Sequence, residues 1–349
     1  NVVLVLVGGL LVDRFGAARV AVGTAAVCLV GSMLTAFSPE FAGMAAGRLL
    51  FGIGAETLLI ALTVAIVDYF AGGNLAFAMG LNLAISRAGS FSADMSPSWF
   101  ASAYAQGWQP PLVIAMLLAA ASLAATCGYW WIDRRRRAAM GSRAAESSRR
   151  FAPADLRGFG TAYWLLLVLC VLWYAVILAF RSTFSIKYFQ HAHGLDLAAA
   201  GAMNSYVFLA AMFATPAFGW LCDKTGRYAP MLAFGALLLP LSFVIMATTD
   251  GSLWVATALM GVSFSLVPAV MWPLTSKLVP AARFGTALGL MWVVQNAGIA
   301  GANLVAGWLN DAAGASASNP AGYQPMMQFF GATSALGFGF ALMLWFVAG

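Results

Sequence analysis

The sequence predicts an all-α membrane protein with an internal repeat, on three observations. Hydrophobic residues make up 62% of the 349 residues and charged residues only 9%, where a soluble domain carries about 25% charged residues. So few charges cannot cover a particle of this size with polar surface, and that surface must face lipid. Apolar runs of bilayer-spanning length, roughly 20 residues, recur along the chain. A short hydrophilic motif also occurs twice, as GGLLVDRFG at Gly8–Gly16 and as GWLCDKTGR at Gly219–Arg227. Gly9, Asp13 and Gly16 align with Gly219, Asp223 and Gly226 at one constant offset.

The runs fall at 18–37, 41–67, 75–98, 108–132, 160–188, 199–222, 228–248, 252–276, 284–309 and 324–348. Their length selects helices over membrane strands, which need about half as many residues. The chain opens at Asn1 inside an apolar run that ends at Asp13, which reads as the end of a further helix in a partial sequence. Turn and charge signals at Ser38-Pro39-Glu40, Ala71-Gly72-Gly73-Asn74 and Gly314–Gly322 separate the runs. The longest polar segment, Asp133–Gly158, contains Arg134–Arg137, Arg143, Arg149, Arg150 and Arg157. It reads as a solvated linker, with a short interfacial helix near Pro153–Arg157. It divides the chain into an N-terminal half (1–132), a linker (133–159) and a C-terminal half (160–349).

Orientation follows from the basic residues. With the linker in the cytoplasm and the sides alternating, Arg14, Arg19, the eight linker arginines, Lys224, Arg227, Lys277 and Arg283 lie inside, 14 of 18. The outer loops hold Glu40, Asp196, Asp250 and Asp311 and no Lys or Arg, as the positive-inside rule demands. A net charge of +6 distributed in this way does not suggest nucleic acid. The four cysteines (Cys28, Cys127, Cys170 and Cys222) lie in or beside apolar runs without metal-ligand spacing and read as packed thiols. His191 and His193 read as surface histidines. No nucleotide loop, metal cluster or Ser-His-Asp set is visible, so neither a cofactor nor an enzyme is expected.

The paired G-x-x-x-D-[RK]-x-G motif resembles the loops after the second and eighth helices of the major facilitator superfamily. This resemblance covers essentially the whole chain. It implies two parallel six-helix halves that rock about a central site, with the first helix missing from this sequence. In that family the loop latches the cytoplasmic helix ends in one conformational state. The resemblance therefore makes Asp13, Arg14, Gly16, Asp223, Lys224 and Gly226 gating residues, the aspartates as helix caps and the glycines as tight turns. Arg48, which opens an R-x-x-x-G-x-G run (Arg48–Gly54) similar to the family's fourth-helix motif, joins them.

Two residues beyond that run, where the motif usually continues with small residues, stands a carboxylate, Glu56. A charge at membrane depth costs roughly 2.5–3.5 kcal/mol or more, so it is rarely accidental. Arg87 falls midway through the next run, at a comparable depth. In one reading Glu56 and Arg87 neutralise one another, or Arg87 pairs with Asp94 seven residues on and on the same helix face. In the other the two charges grip a zwitterion, Glu56 its ammonium and Arg87 its carboxylate. A dipeptide separates its termini by ~7 Å, a gap that two long side chains can bracket.

Phe51–Leu58, the aromatic pair Tyr69-Phe70 and the run Gly80–Ser90 resemble the lysosomal dipeptide transporter family, major facilitator superfamily domain-containing protein one, in a bacterial-type relative. The resemblance implies that Glu56 and Arg87 recognise the two ends of a dipeptide and that transport is uniport. Aligning Gly80 with Gly289 sets Asn296 opposite Arg87 and Ser263–Ser265 opposite Glu56. The second half then offers Gln295, Asn296, Trp292, Trp272, Tyr206 and Asn204 for loose contacts to variable side chains, although each aromatic alone also suits packing. Arg181 reads as an outer-gate or substrate-carboxylate candidate, and Lys187 as a snorkelling side chain.

Gly52, Gly54, Gly80, Gly89, Gly285, Gly289, Gly298 and Gly301 are expected to allow close helix crossings. Pro216, Pro240, Pro268 and Pro273 are expected to permit kinks. The combined expectation is a monomeric transporter of small zwitterions, most simply dipeptides, in a bacterial inner membrane. The alternatives are an organic-anion or drug carrier, with Arg181 meeting the substrate, and a non-transporting membrane receptor.

Overall fold

Backbone in lipid must satisfy its own hydrogen bonds, so long apolar runs become helices. The structure is a computed structural model that describes residues 8, 11–12, 14–70, 75–140, 158–248, 253–280 and 284–348. In chain order the elements are α1 (Ala17–Phe37), α2 (Phe41–Phe70), α3 (Leu75–Trp99), the short α4 (Ala101–Ala105) and α5 (Gln109–Met140). Next come α6 (Thr161–Ala179), a π-helical turn (Phe180–Phe184), α7 (Ser185–His193), α8 (Leu197–Thr225) and α9 (Tyr228–Thr248). The last are α10 (Leu253–Leu278), α11 (Phe284–Ala312), a 3-10 turn (Pro320–Tyr323) and α12 (Gln324–Ala348). No strand occurs among the described residues.

Nine helices among the described residues are long and apolar enough to cross a membrane, with α6, the π turn and α7 forming one span, Thr161–His193. The tenth expected span, α3, forms a helix of 25 residues but falls short in apolarity. Asn82, Arg87, Asp94 and a series of serines dilute it, which marks it as a helix committed to polar contacts. The helix through the 108–132 run continues two turns further, to Met140. Asp133 and Arg134–Arg137 are therefore helical rather than linker. The rest of the linker, including the candidate interfacial helix, the turn at 71–74, Asp13 and Arg283 lie outside the described residues.

The chain divides into two compact units, Asn1–Asn82 with Phe100–Arg150, and Leu83–Trp99 with Phe151–Gly349. In the first unit α1 and α2 pack through small residues. A methyl group on Gly31 would lie 2.5 Å from the Phe51 nitrogen, and one on Gly54 would lie 2.7 Å from Cys28 Sγ. Only backbone-to-backbone approach leaves so little room. Gly298 is equally tight, 2.7 Å from Val171, whereas Gly52, Gly89, Gly289 and Gly301 face open space, against expectation. Gly52 lies two residues from Gly54, which turns it to another helix face. At the end of this unit, Arg137 pairs with Asp133 (2.7 Å) and Asp68 (3.8 Å), and Tyr69 donates to Asp133, tying α2 to α5.

The second unit packs around α6. Tyr163, Leu166, Leu169, Trp173 and Ile177 are fully buried, and Phe180, Phe243 and Phe330 meet edge-on or stacked. The polar tips of the buried aromatics find partners: Tyr163 donates to the Ala287 carbonyl (2.9 Å), Trp173 to Ser263 (3.0 Å) and Tyr188 to the Met246 carbonyl (2.9 Å). Three cysteines are buried as expected, whereas Cys127 is exposed.

Candidate functional site

Arg87 lies at the middle of α3, in the part of that helix that belongs to the C-terminal unit. Its guanidinium Cζ sits 4.4 Å from the ring centroid of Phe264 on α10 and 5.6 Å from that of Phe208 on α8. Its Nε is buried and lacks a hydrogen-bond partner among the described residues. Within its unit, no described carboxylate comes within ion-pair distance. The charge is held by aromatic faces, whose quadrupoles attract cations. Those rings are themselves fixed: Phe264 stacks on Trp173 and meets Phe208 edge-on, and Trp173 meets Tyr174. The aromatic chain runs on from Tyr174 to Trp272, which stacks on Trp292 with centroids 5.6 Å apart.

Arg181 uses the same platform differently. Its Cζ lies 3.4 Å from the Phe208 centroid, and its Nη2 donates to the carboxylate of Asp94 and to the Asn204 carbonyl (3.2 Å). The ion pair is buried, with the Arg181 side chain 3% and the Asp94 side chain 16% exposed. Asp94 therefore belongs to Arg181, and the Arg87–Asp94 pair considered from the spacing does not form. Arg181 sits in the π-helical turn, where the wider backbone frees its carbonyl to accept from the Ser185 hydroxyl (2.8 Å) and the Asn204 amide (3.2 Å). Gly201 makes the approach of α3 possible, because a methyl group there would lie 2.5 Å from the Asp94 carbonyl.

The other sequence candidates scatter. Gln295 is buried and accepts from the Cys170 thiol (3.7 Å), while Asn296 donates to the Trp292 carbonyl (2.9 Å). Ser263 bridges Trp173 and the Gly235 carbonyl inside the core. Tyr206 lies against Trp254, in an apolar groove with Leu209, Phe213 and Thr257. It is two residues from Phe208 and Asn204, so it occupies the opposite face of α8 from both. The structure does not bring it to Arg87. Glu56 lies half-buried on α2, two residues past Gly54, in the other unit.

Of the gating candidates, Gly16 (φ 83°) precedes α1 and Gly226 (φ 67°) ends α8, both in backbone that favours glycine. Arg14, Arg48 and Lys224 are exposed, with Lys224 over the Trp220 ring. Asp13 lies outside the described residues, and Asp223 is placed in α8 by its backbone alone.

Spacing alone did not reveal the rings that hold Arg87. Phe208 and Phe264 are two among 25 phenylalanines, and nothing local separates a cradle from packing.

Comparison with known proteins is consistent with this architecture. The Major Facilitator Superfamily model matches residues 1–303 and 179–349. The lysosomal dipeptide transporter MFSD1 of Danio rerio is 31% identical over 326 residues, covering 90% of this chain and 70% of the relative. The protein of the same name from Homo sapiens is 28% identical over 326 residues, with the same coverage. Among solved structures, peptide transporter POT in complex with sulfate shares the fold with a TM-score of 0.75 at 16% identity, covering 99% of this chain and 83% of that one. A POT mutant in complex with alafosfalin gives a TM-score of 0.73 at 17% identity, with the same coverage. The repeated hinge, the all-helical membrane architecture and these matches together show that the chain is a multi-pass secondary transporter belonging to the Major Facilitator Superfamily.

Proposed function

We propose that this transporter carries dipeptides, with Arg87 receiving the substrate carboxylate and Glu56 the ammonium. The observation that carries the reading is the Arg87 guanidinium, held on two aromatic faces with no carboxylate partner in its unit. A half-buried cation kept at membrane depth without an anion from its own unit is costly, and an anionic ligand end would offset that cost on binding. The relatives named as dipeptide transporters support the same cargo. The organic-anion alternative required Arg181 to meet the substrate, and Asp94 already engages it.

Trp292 ends the aromatic chain from Arg87 and Asn296 donates to its carbonyl, and both would meet the variable part of the ligand. Gln295 would buttress them from within the core. The gating roles of Asp13, Arg14, Gly16, Asp223, Lys224, Gly226 and Arg48 are part of the proposal. So are the division into halves at 1–132 and 160–349, a monomeric working unit and a bacterial inner membrane with the basic loops inside.

The test is thermal stabilisation of the purified protein by dipeptides and by their N-acetylated and C-amidated forms, since a ligand that binds the folded state raises its melting temperature. Arg87→Ala should abolish the preference for a free over an amidated C-terminus. Glu56→Gln should abolish the preference for a free over an acetylated N-terminus. Unchanged discrimination in both variants would refute the reading.

A further inference from the structure

Two guanidinium groups, Arg87 and Arg181, meet one ring, Phe208, and among the described residues one carboxylate of their unit, Asp94, is in ion-pair contact with them. Their Cζ atoms lie at most about 9 Å apart, a range at which charges still act on one another through a protein interior. Asp94 is bound to Arg181, and Gly201 lets the α3 backbone reach α8 at that residue. Asn204 and Ser185 close the ring of polar contacts around the pair, leaving Arg181 no room to swing toward a ligand. Among the described residues of its unit, the cluster therefore presents one positive charge without a carboxylate, at Arg87.

We infer that Asp94 is a specificity-determining counter-ion: by neutralising Arg181 it restricts the Arg87 end of the site to ligands with a single carboxylate and disfavours dipeptides whose C-terminal residue is itself acidic. This rests on the reading of Arg87 as the carboxylate receptor. Asp94 and Arg181 touch no substrate in this scheme and act through the charge they set around Phe208. A purely structural clamp predicts that loss of either partner weakens all ligands alike. A counter-ion predicts opposite effects from the two partners, because Asp94→Asn leaves two positive charges in the cluster and Arg181→Gln leaves none in excess.

The experiment measures the affinities of Ala-Glu and Ala-Gln, which match in shape and differ by one charge, in the purified full chain. Asp94→Asn should shift the Ala-Glu to Ala-Gln affinity ratio toward Ala-Glu by about tenfold. Arg181→Gln should shift the ratio the other way, toward Ala-Gln. The double variant Asp94→Asn/Arg181→Gln, which restores the charge count, should return the ratio to that of the parent, and Asp94→Glu should leave it there.

If Asp94→Asn does not fold, the Arg181→Gln and double-variant arms carry the test. An unchanged ratio in a folded Asp94→Asn protein, or a double variant that departs from the parent ratio, would overturn the inference. Failure of the underlying reading is separate: it shows as an Arg87→Ala protein that still prefers free over amidated C-termini, whatever the Asp94 variants do.

Discussion

Arg87 and Arg181 lie in the same unit, both against Phe208, yet their environments differ in kind. Arg181 is closed in by a carboxylate, a backbone carbonyl and a ring, at 3% exposure. Arg87 has two rings and, among the described residues of its unit, no carboxylate. A buried charge answered from within holds helices together, and breaking such a pair is costly. A half-buried charge answered by aromatic faces is held in place without being neutralised, which leaves its field available to a ligand. Whether a charge is buried thus says less about its role than what answers it.

The largest break in this comparison is removal of one partner from the neutralised pair. Asp94→Ala should cost about 3–5 kcal/mol of stability by stranding the Arg181 charge, read as a lowered unfolding temperature. Asp94→Ala/Arg181→Met should recover much of that loss. Single and double variants of equal stability would show the pair to be inert. Next in size is Gly201→Ala. Its methyl group would meet the Asp94 carbonyl at 2.5 Å, and α3 would have to shift. Overpacking of this kind costs about 1–3 kcal/mol. A variant as stable as the parent would mean that α3 is not seated on α8 at this point.

The same comparison predicts the opposite sign at Arg87. Arg87→Met removes a charge with no described carboxylate partner in its unit and keeps an apolar side chain between Phe208 and Phe264. Without ligand the variant should be about 1 kcal/mol more stable than the parent, since it no longer holds a half-buried cation without a carboxylate at membrane depth. It should at the same time lose dipeptide-dependent stabilisation. A destabilised Arg87→Met protein would indicate that Arg87, like Arg181, is a structural charge.

The sequence made the class of fold plain, because lipid leaves a spanning backbone no alternative to helices and closed barrels and the apolar runs are long. It also singled out Arg87 and Glu56, because charges are conspicuous in apolar runs. It did not identify the partner of Arg181. Asp94 is seven residues from Arg87 on one helix face, which suggested that pairing, whereas Arg181 is 87 positions away in sequence. Long-range partners are set by helix packing, and the glycine that decides this packing, Gly201, is one of 36. Gly52 and Gly54 make the same point: both belong to one motif, and only Gly54 is in a tight contact. Motif spacing locates a helix and its polar residues, but the rotation of that helix against its neighbours decides which of them meet.

The smallest predicted effect tests that rotation. Tyr206 was a binding candidate from its residue type, as one of the second-half aromatics suited to loose contacts with a variable ligand. In the structure it is 38% exposed and rests on Trp254, on the face of α8 opposite Asn204 and Phe208. A side chain there cannot reach the cluster around Phe208 unless α8 turns about its axis. Tyr206→Phe should therefore change neither the affinity for Ala-Gln nor the free-versus-amidated discrimination, and should move stability by less than about 0.5 kcal/mol. A loss of affinity matching that of Arg87→Ala would require α8 to present its other face during transport. Phe208 would then leave Arg87 and Arg181 in part of the cycle, and the division between a neutralised and an open charge would hold in one conformation only.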